Sequence, residues 1–209
     1  KDGAYIYVPN NVILSKPIQI VYFSTGASQE AMYQPRNLVV VGDNAQVQII
    51  ERHQTLDEKA NLTNVVSEVN VGRNSEIHWY KFQNDSNDAS LVDNTYINQE
   101  RDSRANVFTF AFGGKIVRNN LNFFQNGENC NSVMDGITVI DGNVGFSGGF
   151  NLADEYINAK VKYGHWKDTG VMIKGEAVWN LTLMFLTTWN ASLNTFEDYD
   201  KYHPRHYIC

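Results

Sequence analysis

The chain has 209 residues, of which 43% are hydrophobic and 19% charged, with a formal net charge of −6. This is a globular rather than a disordered composition, sufficient for one large domain or two small ones. No cluster of Lys and Arg forms a nucleic-acid footprint, and the apolar run 181–186 is far below the ~20 residues that span a bilayer.

Two cysteines, Cys130 and Cys209, make no disulfide framework, so a reducing cytoplasm is the expected setting. The chain opens at Lys1-Asp2-Gly3 with neither an initiating Met nor a signal peptide, and it stops abruptly at Cys209. On that ground it reads as a fragment.

Short strand-like runs follow one another from the amino end: 4–8, stopped by Pro9, then 17–23, 38–50, 64–71, 76–82, 106–112, 120–124 and 137–140. They are rich in Val, Ile, Tyr and Phe, and Gly, Asn and Asp punctuate them. An internal repeat stands out. Val41-Gly42-Asp43-Asn44-Ala45-Gln46-Val47 is matched by Val71-Gly72-Arg73-Asn74-Ser75-Glu76-Ile77. In both, a Gly-x-Asn turn feeds an alternating strand, so Val47 and Ile77 share a face, as do Ile49 and Trp79. A turn and strand recurring at this spacing suggest a β-solenoid, with Gly42 over Gly72 and Asn44 over Asn74 in laddered turns. Two ordinary hairpin turns would use the same residues. His53 and His78 lack companions at metal-ligand spacing, and both are expected on the solvated side of their strands. Cys130 is the one thiol before residue 139 that could ligate iron, although a lone Cys is more often a small buried apolar residue.

The pattern changes across Val139-Ile140-Asp141-Gly142-Asn143-Val144. Beyond it come a Gly-rich run at 144–150, a short strand at 171–173, and a helix from 176 to about 190. Val178, Leu181, Phe185 and Trp189 are spaced for one helix face, widened by Ala177, Met184 and Thr188. That face is expected to be core. His203, His206 and Cys209 could supply metal ligands, but a frayed tail is the simpler reading.

Several stretches before the change resemble the SufD family. These are Gly3-Ala4-Tyr5-Ile6-Tyr7-Val8-Pro9, Lys16-Pro17-Ile18-Gln19, Asn37-Leu38-Val39-Val40-Val41-Gly42, Glu100-Arg101-Asp102-Ser103-Arg104-Ala105-Asn106, Gly127-Glu128-Asn129-Cys130-Asn131 and Met134-Asp135-Gly136-Ile137-Thr138-Val139. The resemblance implies a right-handed parallel β-helix acting as a non-catalytic scaffold in SufBCD iron–sulfur cluster assembly. Its implied partners are a SufB-like protein and the ATPase SufC. It assigns no cofactor to this chain, since a cluster would meet it only through the assembled complex. The family's later Cys and His, and the helical region that contacts SufC, fall beyond Gly142, where this sequence leaves the pattern.

The remainder resembles phospholipase D-type cardiolipin synthases. The matching residues run from Ile140 to Asn151 and continue through Ala153-Asp154-Glu155-Tyr156-Ile157, Trp166-Lys167-Asp168-Thr169 and Gly175-Glu176-Ala177-Val178-Trp179. Such enzymes use a His-x-Lys-x4-Asp motif followed by Gly-Gly/Ser-x-Asn, in which the His attacks phosphorus and the Lys neutralises phosphate oxygens. Asp141, Gly148, Gly149 and Asn151 occupy motif positions. The His position holds Met134 and the Lys position Gly136, so the resemblance implies a catalytically dead remnant. His165-Trp166-Lys167 repeats the His-x-Lys spacing, but Met172 stands where the Asp belongs.

The expectation is therefore a mainly β hybrid, with a truncated parallel β-helix at 1–138 and a small α/β fragment at 139–209.

Overall fold

The computed structural model describes residues 2–26, 31–140, 144–152, 169–193, 199 and 203. In chain order the elements are β1 (Tyr5–Val8), β2 (Ile18–Ser24), β3 (Ala31–Tyr33), β4 (Arg36–Val41), β5 (Gln46–Thr55), β6 (Asn61–Val71) and β7 (Glu76–Gln83). They continue as β8 (Ala89–Gln99), β9 (Arg104–Ala111), β10 (Ile116–Gln125), β11 (Asn131–Ile140), β12 (Val144–Leu152), β13 (Gly170–Lys174) and α1 (Ala177–Leu193). Successive strands alternate between two sheets. One runs β1-β4-β6-β8-β10, with β3 beside β6, and the other runs β2-β5-β7-β9-β11-β12-β13. Every pairing up to β11 is parallel. This is a β-helix, with like residues stacked on like in consecutive coils.

Side chains alternate in and out with period two, as a strand requires. In β7, Ile77, Trp79, Lys81 and Gln83 are buried while their neighbours are partly exposed. The apolar half of the interior is built from stacked columns such as Val47–Ile77–Ala105 and Ile49–Trp79–Val107.

The turns hold the coils in register. Asn11, Asn44, Asn74, Asp102 and Asn129 all have φ between 54° and 62°. That left-handed conformation is strained for most side chains and tolerated by Asn and Asp. Their side chains ladder: Asn44 donates to Asn11 over 33 residues, Asn74 to Asn44 over 30, and Asn129 to Asp102 over 27. The coil thus shortens along the axis. A Cβ on Gly72 would lie 2.7 Å from the Gly42 carbonyl carbon, so the stacked backbones meet where side chains would not fit.

Three sequence expectations need correction. The run 38–50 is two strands, β4 and β5, broken at the laddered turn. Strand β8 was not expected, because Asp93, Asn94, Asn98 and Gln99 dilute its β signal. His53 is buried rather than solvated: its alternation places it on the same face as Ile49 and Glu51, inside the coil.

The parallel stack ends at the change in sequence pattern. β11 pairs in parallel with β9 on one side and antiparallel with β12 on the other, and β13 is antiparallel to β12. Helix α1 lies against the outer face of this three-strand extension, where a Cβ on Gly145 would meet Leu181 and Val178. Its buried residues are Val178, Thr182 and Leu186, whereas Ala177 and Met184 are exposed. Val178 and Leu181 of the expected face do pack inward, and the buried face also takes Thr182 and Leu186; the side chains of Phe185, Thr188 and Trp189 lie outside those described.

Candidate functional site

Three places hold residues with chemical potential. The first is the β11–β12 hairpin. Its register sets Met134 opposite Phe150, Asp135 opposite Gly149 and Gly136 opposite Gly148. Gly148 in turn faces Gly170 on β13. A cavity of about 490 Å3 opens over this surface, lined by Met134, Gly136, Thr138, Phe146, Gly148 and Met172 from one sheet and by Leu121 and Asn119 from the other. Of the two positions where the resemblance expects a motif His and Lys, Met134 faces Phe150 and Gly136 faces Gly148. A thioether and a hydrogen atom offer neither a nucleophile nor a cation there. Asn151 lies on β12. Asp141, His165, Lys167, His206 and Cys209 lie outside the described residues, and His203 is exposed.

The second place is a buried ionic cluster that the sequence reading missed. Lys81, on β7, points into the coil and donates to Asp93 Oδ2 at 2.6 Å and Thr95 Oγ1 at 2.7 Å, both on β8 across the interior. Glu51 Oε2, one coil earlier, is 3.7 Å from the same ammonium. Glu51 Oε1 bonds His53 Nε2 at 2.7 Å, and the imidazole stacks on Tyr22 with centroids 4.8 Å apart. Tyr22 donates to Asn37, and Asn37 to Ser67.

Burial alone would raise the Glu51 carboxyl, but Lys81 and the His53 hydrogen bond outweigh it and hold the pKa at about 2. Burial would lower Lys81, yet Asp93 and Glu51 keep it above its ordinary value. The Tyr22 hydroxyl is pushed up by burial and then by the Glu51 charge. A paired lysine at the centre of two carboxylates is a clamp between sheets rather than a metal cradle. Among the described residues, no group of three or more His, Cys, Asp or Glu is placed to hold a metal ion. The missed signal was periodicity: Glu51, His53, Lys81 and Gln83 continue the inward positions of Ile49 and Trp79.

The third place is Cys130. It follows the left-handed Asn129 as Ala45 follows Asn44, Ser75 follows Asn74 and Ser103 follows Asp102. It is a buried, free thiol that donates to the Glu100 and Gly127 carbonyls at 3.2 and 3.3 Å.

The stacked parallel coils and laddered turns agree with the family comparison. The model of the SUF system FeS cluster assembly SufBD core domain matches residues 23–159. The chain belongs to the SufBD core family. An iron–sulfur cluster assembly SufBD family protein of Synechocystis is 30% identical over 149 residues, which is 68% of this chain and 33% of the relative. The SufBD match therefore takes in the coils from β3 onward and runs on through the antiparallel β12.

Other relatives cover a smaller part. A cardiolipin synthase of Listeria monocytogenes is 41% identical over 70 residues, 32% of this chain and 14% of its own length. Cardiolipin synthase 2 of Staphylococcus epidermidis is 53% identical over 55 residues, 26% of this chain and 11% of its own length. An uncharacterised protein of Streptococcus mutans is 54% identical over 61 residues, 29% of this chain and 13% of its own. The chain thus spans a third or less of the length of each of these relatives. No solved structure matches. Among the described residues of this SufBD member, no helix is long and apolar enough to cross a membrane.

Proposed function

We propose that the chain is a non-catalytic scaffold component of SufBCD-type iron–sulfur cluster assembly, acting in the cytoplasm with a SufB-like and a SufC-like protein. The cluster is cargo of the assembled complex rather than a group held by this chain. The observation that supports this reading best is the parallel β-helix matched by the SufBD core model, whose interior is closed by the Lys81 clamp instead of being open to a substrate. We divide the chain into a β-helix at 1–138 and a phospholipase D-like part at 139–209. The reading expects weakened SufC association, because the SufBD match ends at residue 159. The test is co-purification of the tagged chain with SufB-like and SufC-like partners. Retention of the SufB-like protein with reduced SufC is expected; retention of neither overturns the proposal.

A second reading is favoured by the hairpin that pairs Gly136 with Gly148. In it, residues beyond 138 are a remnant of a cardiolipin synthase, inactive because Met134 and Gly136 replace the nucleophile and the phosphate-binding lysine. Incubation with phosphatidylglycerol in mixed micelles is expected to give no cardiolipin. Turnover would show that this assignment of the two positions is wrong.

A further inference from the structure

The cavity over the hairpin arises from a mismatch between the sheets. The second sheet continues past β11 into β12 and β13, whereas the first ends at β10. The inner surface of the extension therefore has no facing strand among the described residues. Three glycines cross it in one row, Gly136 paired with Gly148 and Gly148 with Gly170. The row is a side-chain-free trough one residue wide, running across three strands. Met134 stands on one side of it and Phe146 and Met172 on the other, with Leu121 reaching over from β10. A side chain would not fit in the row: a Cβ on Gly148 would sit 3.0 Å from the Cα of Gly170 on the neighbouring strand.

The walls are mostly thioether, aromatic and aliphatic, with Thr109, Asn119, Thr138 and Ser147 as polar lining, and the volume falls within the ~300–1,000 Å3 usual for small-molecule sites. Among the described lining residues there is no Lys or Arg, and the charged one is Asp135. A phosphate would find no cation, while an unbranched hydrocarbon would find a smooth floor and soft, adaptable walls.

We propose that this trough binds a single unbranched alkyl chain, carried by an uncharged amphiphile, and disfavours one that ends in phosphate. The site stands independently of the scaffold reading, since it needs no Suf partner.

The test uses the full chain with the neutral probe diphenylhexatriene, displaced in parallel by decanol and by decyl phosphate below their micellar concentrations. Saturable fluorescence at one probe per chain is expected, with decanol competing at least tenfold better than decyl phosphate. Met172→Glu changes a side chain that is 55% exposed. It is expected to weaken probe binding at least tenfold while the thermal melt stays unchanged; Leu121→Gln, from the opposite sheet, is expected to weaken binding similarly but to lower the melt, because Leu121 also packs against the core. Absence of saturable binding, equal competition by the phosphate, or wild-type affinity in both variants would overturn the proposal.

Discussion

At the scale of single residues, Lys81 carries more of the structure than its residue type suggests. It joins β7 to β8 across the interior and approaches Glu51 in the coil before it. Lys81→Met leaves the buried Asp93 and Glu51 carboxylates without their lysine, with only the Thr95 and His53 hydrogen bonds remaining, and about 3–5 kcal/mol of stability should be lost in urea unfolding at neutral pH. Also replacing Glu51 and Asp93 with apolar residues of similar size should recover most of that loss, since the cost lies in unpaired charge. The pH dependence follows from the same pair. The Glu51 carboxyl is lowered from 4.5 to about 2, so its contribution is present above pH 4.5 and is lost as pH falls toward 2. The Lys81 ammonium is raised above 10.5, so its contribution holds below that pH and disappears as pH rises through the folded value. Urea midpoints measured across pH should therefore fall off at both extremes. The gap between wild type and Lys81→Met should narrow in acid, where protonation removes the unpaired charge.

At the scale of elements, the turn ladder and the terminal hairpin have different origins. Asn74 is both left-handed and bonded to Asn44 at 2.9 Å. Asn74→Ala should cost about 1–2 kcal/mol from backbone conformation, plus the lost bond. Asn74→Gly should cost less than Asn74→Ala, because glycine keeps the backbone unstrained. Chemical denaturation of the two variants separates these terms. On the helix, Leu186→Ala should cost ~2–5 kcal/mol if α1 unfolds with the sheets. A change near zero would mean that α1 opens separately.

The repeat, the shared face of Val47 and Ile77, and the Asn44–Asn74 ladder were legible because stacking like on like imprints the same residues at a fixed offset. β8 was hidden because its outward positions carry Asn and its inward ones Asp93, Thr95 and Gln99, so the pattern of polar side chains mimicked a loop. The ionic clamp was hidden for a related reason. By residue type Glu51, His53 and Lys81 read as surface residues, although they continue the inward alternation of Ile49 and Trp79; the partners of Lys81 lie on the other sheet 12 and 14 residues on, and on its own sheet a coil before. In the hairpin, the reading of Met134 and Gly136 as motif positions comes from the resemblance to phospholipase D-type cardiolipin synthases, not from spacing. The glycine row was not legible, because Gly170 joins it only through β12–β13 pairing.

At the scale of the whole molecule, nearly every pairing joins strands about 26–33 residues apart, with few local contacts to start from. Folding should be slow for the chain's size, on the order of milliseconds to seconds after dilution from denaturant, as followed by tryptophan fluorescence. Trp79, fully buried between Ile49 and Val107 in its column, is a suitable reporter. Amide exchange should be slowest in β5 and β7, which are paired on both sides, and faster in α1, which is attached to one face only.

The reversal between β11 and β12 has a consequence for association. Parallel solenoids can join end to end into filaments when the last strand offers a template in the same direction as the rest. Here the strand that follows β11 runs the opposite way, so an incoming coil would find mismatched donors and acceptors along that sheet. Whatever brought the hairpin there, it acts as a terminator against fibre growth from that end.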